Sequence, residues 1–365
     1  MNEISINLDP LMTKHLVGAG LFAADPIVIV DVGARWGFNP EWKAFGEALQ
    51  VFCFEPDEEE CKRLNAASSP NVRYIPAALG IRDEEATLYE ARLAASTGLY
   101  KSNMNYLSRL LNRDNAEVVK EHRIGVTTLD AALARFGVTK IDFIKLDVEG
   151  AELDVLMGAE SFMHSVKLLG ILSEIRFHEE INGSPVFSEL DAYLRKFGYR
   201  LYNMRFTHQS RRALPYPGLA DNRAPDGKKI YAYTTHGQIM DGDALYFRDL
   251  LMPANSGIAL STSPVQVLKA AAFFEVYCLN DCAAELIIEH RHSLKNMVDC
   301  DLLLDLLATP MRKRRINYKT YMDAYFGSGT AVVGDSRPVW VSLKSLARAI
   351  LPWSVQGILR RTLRH

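Results

Sequence analysis

Three short stretches combine acids with glycines in an order that could serve chemistry: DVGARWG (31–37), FEPD (54–57) and KLDVEGAE (145–152). In the first, Gly33 and Gly37 remove side chains where the backbone turns sharply and a ligand must come close. Asp31 supplies a carboxylate that can accept from an ammonium or a hydroxyl. In the second, Glu55, followed by Pro56 and Asp57, is placed to accept from the two neighbouring hydroxyls of a ribose. Charge-assisted bonds of that kind contribute roughly 1.5–3 kcal/mol each. Taken alone, the glycines could simply permit a turn and Glu55 could cap a helix. An acid at each of two adjacent strand ends favours a nucleoside ligand.

The spacing also discriminates among nucleosides. A dinucleotide site uses G-x-G-x-x-G, so that a pyrophosphate reaches a helix N-terminus. This chain has G-A-R-W-G, with an acid at Asp31 and with Arg35 and Trp36 in the way. An acidic first strand end suits a ligand with a positive amino group and no phosphate. S-adenosyl-L-methionine fits that description, and NAD does not.

The elements that must position these residues are legible as apolar runs. Residues 27–32, 51–55, 72–75, 142–147 and 168–175 read as strands, most of them followed by a turn and a helical pattern. Continuous apolar runs alternating with helices predict a parallel, doubly wound α/β sheet buried on both faces. Open sheets of this kind bind ligands beyond the C-terminal ends of their strands, so the three stretches should converge on one rim. Helices are expected over 57–66, 151–157 and 187–197. The late strands 199–204 and 243–247 suit an antiparallel addition at the sheet edge. The interval 207–229 is long enough to be either a solvated loop or a lid, with Arg211 and Arg212 its most useful groups for an anionic substrate. From residue 264 onward the pattern is helical, clearest over 264–291 and 301–309. Residues 336–365 read as two short basic amphipathic helices divided by Pro352.

The chain has 365 residues, 42 basic and 44 acidic, for a net charge of −2. That balance argues against a bulk nucleic-acid binder. The charge is unevenly spread, however: residues 310–365 carry a net +9 and the first 309 a net −11. No signal-like N-terminus or spanning apolar run is evident, and five cysteines do not make a secreted framework, so the cytoplasm is the expected compartment. Cys278 and Cys282, with His290, His292 and Cys300 downstream, raise a zinc site. Their apolar helical setting favours reduced thiols packed as small hydrophobes. The basic tail, with 312–315 beside the helical region, suits either docking on the anionic inner face of a membrane or packing of its apolar stripe within the molecule.

The segment from Ile27 to Arg248 resembles the FkbM family of S-adenosylmethionine-dependent methyltransferases. The matching stretches are VDVGARWG, FEPDEEECKRLN, YIPAALG, VTTLDAAL, IDFIKLDVEGAELDVLMGAE and ILSEIRF, with GQIMDGDALYFRD similar to one branch. The resemblance implies a class I methyltransferase (Rossmann-like) fold with seven strands, the last antiparallel, and O-methylation with sugars as recurrent acceptors. It implies that Asp31, Gly33 and Gly37 form the cofactor loop, that Glu55 holds the ribose, and that Ala77 and Ala78 lie near the adenine. Many members have Asn where this chain has Arg35, which changes the local contacts. The expected organisation is a helical lead-in (1–25), the methyltransferase domain (26–250), a helical region (260–335) and the basic amphipathic tail (336–365).

For such a transfer the cofactor carries the reactive methyl, and the protein must align a hydroxyl and take its proton. Asp147 is the first candidate. Glu174 and His178 flank the end of the next strand, while Glu149 and Glu152 could act directly or cap a helix. His178 reads more simply as a surface histidine. A carboxylate cluster could hold Mg²⁺, but no metal is assigned. The expected acceptor is a carbohydrate or a lipid-linked glycan. Two other readings stay open: a nucleotide-sugar or NAD enzyme, and a non-catalytic cofactor-binding module that recruits a partner or membrane.

Overall fold

The computed structural model describes residues 4–165, 167–219, 222–223, 229–230, 233–252, 262–312 and 316–327. The strands are β1 (Ile27–Val32), β2 (Leu49–Glu55), β3 (Val72–Pro76), β4 (Ala78–Leu79), β5 (Glu84–Ala91), β6 (Val118–Thr127), β7 (Phe143–Leu146), β8 (Gly170–Arg176), β9 (Tyr199–Gln209), β10 (Asn222–Arg223), β11 (Lys229–Ile230) and β12 (Gln238–Arg248). The helices are α1 (Leu11–Gly18), α2 (Glu58–Ala67), α3 (Met104–Leu107), α4 (Leu129–Ala134), α5 (Glu152–Met157), α6 (Glu160–Met163), α7 (Phe187–Lys196), α8 (Pro264–Val276), α9 (Asn280–Glu289), α10 (Arg291–Leu294), α11 (Cys300–Ala308) and α12 (Tyr318–Gly327).

Seven strands form one sheet in the order β3-β2-β1-β7-β8-β12-β9. β1, β2, β3, β7 and β8 run parallel, and β12 lies antiparallel between β8 and β9. This is the doubly wound α/β sheet expected, with its antiparallel strand where the late runs predicted one. The continuous burial of β1 follows from cover on both faces. One face packs Val30, Ile144 and Ile171 with Val155 and Leu156 of α5 and Leu190 of α7. The other carries Phe143 and Phe247 against Phe273, Phe274 and Tyr277 at the end of α8, with ring centroids 4.6–6.1 Å apart.

The contacts divide the chain into two compact units, 1–300 and 301–365. The helices α8 to α10 therefore belong to the unit of the sheet, whereas the sequence pattern grouped them with the residues that follow. The expected helix over 264–291 is broken. Cys278 takes φ 57°, and the N–H groups of Cys278 and Leu279 donate to the carbonyls of Glu275 and Phe274, closing α8 as a Schellman cap does with glycine. Cys278 is consequently exposed and Cys282 half-buried, rather than both packed as core thiols; Cys300 is buried. A second sheet, β4-β6-β5, has no counterpart among the strands read from the sequence. Residues 313–315 and the tail 336–365, on which the membrane expectation rests, lie outside the described residues. No helix among the described residues is long and apolar enough to cross a membrane.

Candidate active site

The first three strands hold the glycine loop. Gly33 takes φ 85°, and a Cβ there would run into the carbonyl oxygen of Asp147, so the loop can lie against the end of β7 only with glycine at that position. The N–H groups of Gly33 and Ala34 donate to the Phe54 carbonyl at 2.9 and 3.2 Å. The Phe38 N–H donates to the Tyr74 hydroxyl at 3.1 Å. The loop is thereby pinned to β2 and β3.

Asp31 is wholly buried, and its carboxylate oxygens make no hydrogen bond. Its neighbour in register on β7 is Lys145, and residues paired in this way point to the same face of the sheet. Lys145 Nζ stands 3.3 Å from Asp31 and 3.2 Å from Asp147, bridging them. Burial pushes the Asp31 carboxyl up to about 6, against the opposing pull of Lys145. Burial alone would discharge Lys145, but the two aspartates hold it above its ordinary range.

At the end of β2, the Asp57 N–H donates to Glu55 Oε1 at 3.0 Å, and Arg35 lies 3.5 Å from the same oxygen. Burial raises the Glu55 carboxyl, and its Oε2 has no hydrogen-bond partner among the described residues. The helix-capping role open to Glu55 falls to Asp57, whose Oδ1 accepts from Glu59 and Glu60 of α2. Arg35 pairs with Asp57 at 3.2 Å as well, so this departure from the family pattern clasps the two acids together. Pro76, level with Glu55 across β2 and β3, leads into half-buried Ala77 and buried Ala78.

A second group of acids gathers around Arg176 of β8, which the sequence did not single out. Its guanidinium reaches Glu149 at 2.6 Å and Glu174 at 2.9 Å, with Glu180 and Glu152 at 3.7 and 3.8 Å. Glu149 sits at φ 56°, a strained position for a side-chain-bearing residue, and is held there by that ion pair. Glu152 has the capping role: it accepts from the Val148 and Gly150 N–H groups and shapes the turn. Burial lifts the Glu149 carboxyl to about 8 and Glu174 well above its usual range, although Arg176 opposes both. Carboxylate oxygens of Asp147, Glu149 and Glu174 lie within 4.8 Å of one another, close enough to share a cation. Arg176 already supplies positive charge to two of them, and no metal is assigned. Asp147, with its side chain 47% exposed, is the most open of the three.

His178 is not in this group. Its ring stacks on Tyr106, 5.8 Å away, and its Nε2 lies 2.8 Å from Gln238 Nε2. It packs, through Tyr106, against a strap, residues 98–111, that leaves the second sheet and crosses the rim. A Cβ at Gly98 would press on the backbone of Glu149, so the strap lies directly on the acid turn. Tyr100 donates to Asp154 at 2.6 Å, the Asn103 N–H donates to the Glu180 carbonyl at 2.8 Å, and the Leu111 N–H to that of Ser210 at 3.0 Å.

Lys145 and Arg176 each lie two residues from an acid in the sequence, but only the strand register shows what they hold. What hid them was their place inside runs read as apolar.

The first group of residues fits S-adenosylmethionine on its own chemistry. A buried carboxylate without hydrogen bonds stands at one strand end, a second with a free oxygen stands at the next, and a glycine cradle lies between. The family model described as the methyltransferase FkbM domain matches residues 31–201. The AMB antimetabolite synthetase AmbE of Pseudomonas aeruginosa is 26% identical over 212 residues, 50% of this chain and 10% of that protein, so the chain spans about a tenth of that relative's length. Among solved structures, TehB from Haemophilus influenzae is similar at 12% identity, covering 64% of this chain and 62% of that one, with a TM-score of 0.31. Magnesium protoporphyrin IX methyltransferase (ChlM) from Synechocystis PCC 6803, with bound SAM, is similar at 7% identity over 66% and 81%, with a TM-score of 0.28. Residues 31–201 thus match the FkbM methyltransferase domain model, and they lie on a seven-stranded, mostly parallel α/β sheet whose strand-end residues fit S-adenosylmethionine.

Proposed function

We propose that the chain transfers the methyl group of S-adenosylmethionine to a hydroxyl of a sugar, with Asp147 taking the proton. The observation that carries this reading is Asp147 itself: the most open acid of the rim, level with the cofactor loop and steadied by Lys145. When bound, the cofactor supplies a sulfonium whose methyl carbon is already electrophilic. Asp31 would accept from its ammonium group and Glu55 from its ribose hydroxyls. Asp147 would receive the acceptor hydroxyl's hydrogen bond and then its proton, as the oxygen–carbon bond forms and the sulfur–carbon bond breaks. Glu149 and Glu174 flank this point, and Arg176 keeps them in place. Each gives one carboxylate oxygen to Arg176, which fixes its place beside Asp147.

A dinucleotide is disfavoured by the loop. After Gly33 the chain runs on to a short 3-10 turn at Pro40–Ala48 instead of opening an α-helix whose N-terminus could receive a pyrophosphate. The acceptor hydroxyl and the glycan class are part of the proposal and rest on the family resemblance together with the open acid. The test is Asp147→Asn assayed with labelled cofactor and a glycan fraction. The expected result is a fall in kcat of about 10²–10⁴-fold, with cofactor affinity within about threefold of wild type. Unchanged turnover would remove Asp147 from the reaction, and calorimetry showing no S-adenosylmethionine binding at millimolar ligand would end the reading.

A further inference from the structure

Beside the acids, at the corner where the strap meets the start of β12, three arginines come together. Leu110 and Arg211 form a backbone bridge, and the Arg212 N–H donates to the Arg109 carbonyl at 3.1 Å, so the segments carrying Arg109, Arg211 and Arg212 run side by side. None of the three makes an ion pair with a carboxylate among the described residues, whereas Arg92, Arg176, Arg195 and Arg205 each do. Arg211 is also fixed in place. Its Nη2 donates to Gln238 Oε1, and its guanidinium carbon lies 5.4 Å from the centre of the Tyr106 ring. Gln238 is itself held by His178 at 2.8 Å. The remaining nitrogen, Nη1, is buried without a hydrogen-bond partner. A buried donor left unpaired is costly, and an incoming oxyanion would satisfy it.

We infer that Arg109, Arg211 and Arg212 form a subsite for a phosphate group carried by the acceptor. The inference rests on the methyl-transfer reading for what the acceptor is, but not for the subsite itself. Gln238 lies three residues along β12 from Asp241, which pairs in register with Arg176. The Gln238 end of the subsite and the Arg176 cluster therefore lie along the same strand, about 10 Å apart at about 3.4 Å per strand residue. A sugar phosphate would place its hydroxyl toward Asp147 and its phosphoester at Arg211. Three cations with no carboxylate among them match a phosphoester of charge about −1.5 to −2 better than a single carboxylate. Arg109 and Arg212 are exposed at the mouth, where they would draw the ligand in, and Arg211 would fix it.

The experiment is calorimetry on the full chain with glucose 1-phosphate, glucose, glucuronate and inorganic pyrophosphate, with S-adenosylmethionine titrated separately. Glucose 1-phosphate should bind at least tenfold more tightly than glucose, and Arg211→Gln should abolish the difference. Arg109→Gln and Arg212→Gln, both at exposed positions, should each weaken pyrophosphate several-fold. Arg211→Lys should retain part of the affinity, and all four variants should bind S-adenosylmethionine as wild type does. Adding UDP-glucose distinguishes a diphosphate ester from a monoester as the source of the phosphate. Equal binding of glucose and glucose 1-phosphate, pyrophosphate binding indifferent to all three arginines, or glucuronate matching glucose 1-phosphate would each overturn the subsite. If S-adenosylmethionine fails to bind while the arginine-dependent binding persists, the methyl-transfer reading falls and the subsite stands.

Discussion

Asp31, next to last in β1, is fully buried, with an ammonium 3.3 Å away and no hydrogen bond. Its carboxyl titrates at about 6 in the folded chain, against about 3.9 when unfolded. The folded state therefore holds a proton that the unfolded state has lost across that window, and this group lowers stability as pH rises from about 4 through 6. Glu149, raised to about 8, acts in the same direction up to that pH. A cation bound beside Asp31 favours the ionised form, so the sign reverses for the cofactor. Affinity for S-adenosylmethionine should rise by up to about tenfold per pH unit below 6 and level off above it. Asp31→Asn should flatten that rise, and calorimetry across pH reads it directly. Gly33→Ala should cost about 2 kcal/mol or more from its positive φ, and more from the clash with Asp147, seen as a lower urea midpoint and weakened cofactor binding. Asp31, Gly33, Glu55 and Asp147 were legible because strand-end acids and glycines stand out against apolar runs. Lys145 and Arg176 were not, since only strand register shows that one bridges Asp31 to Asp147 and the other gathers four glutamates.

At the opposite end of the strands, α8 is tied into the sheet by buried charge. Lys269 Nζ donates to both oxygens of Asp142 at 3.0 and 2.9 Å, to Asp25 at 3.0 Å and to the Pro26 carbonyl at 2.8 Å. Glu275 of the same helix accepts from the Met12 and Thr13 N–H groups at the start of α1. Removing one partner of a buried pair leaves the other uncompensated. Lys269→Ala should therefore cost about 3–5 kcal/mol, measured by urea unfolding, while cofactor affinity in the folded protein stays unchanged. A chain cut after Met252 should fail to fold, which limited proteolysis and circular dichroism would show. The helical pattern of 264–276 was plain in the sequence, but its place was not. A segment apolar on all sides announces burial without naming the surface that covers it. The strands β5 and β6 escaped for the opposite reason: EEATLYEA and VVKEHRIGVT are only partly buried and never form an apolar run.

On the scale of the whole chain, the charge imbalance falls across a structural boundary. Residues 1–300 carry a net −9 and 301–365 a net +7. A chain ending at Cys300 should unfold cooperatively and bind S-adenosylmethionine as the full chain does, which thermal denaturation and calorimetry can establish. The basic tail is proposed to dock on anionic membranes. The full chain should float with phosphatidylglycerol vesicles and a chain ending at Asp335 should not, with the difference erased by high salt. Within the larger unit, the strap gives the molecule a seam. The groups proposed to hold the cofactor come from β1 to β3 and the turns after them, whereas the wall across the cleft comes from 98–111 and the start of β12. Natural variation can therefore rewrite one margin without disturbing the other. Exchanging the strap with that of a relative should transplant acceptor preference and leave the methyl donor untouched, making this domain a chassis with an interchangeable front.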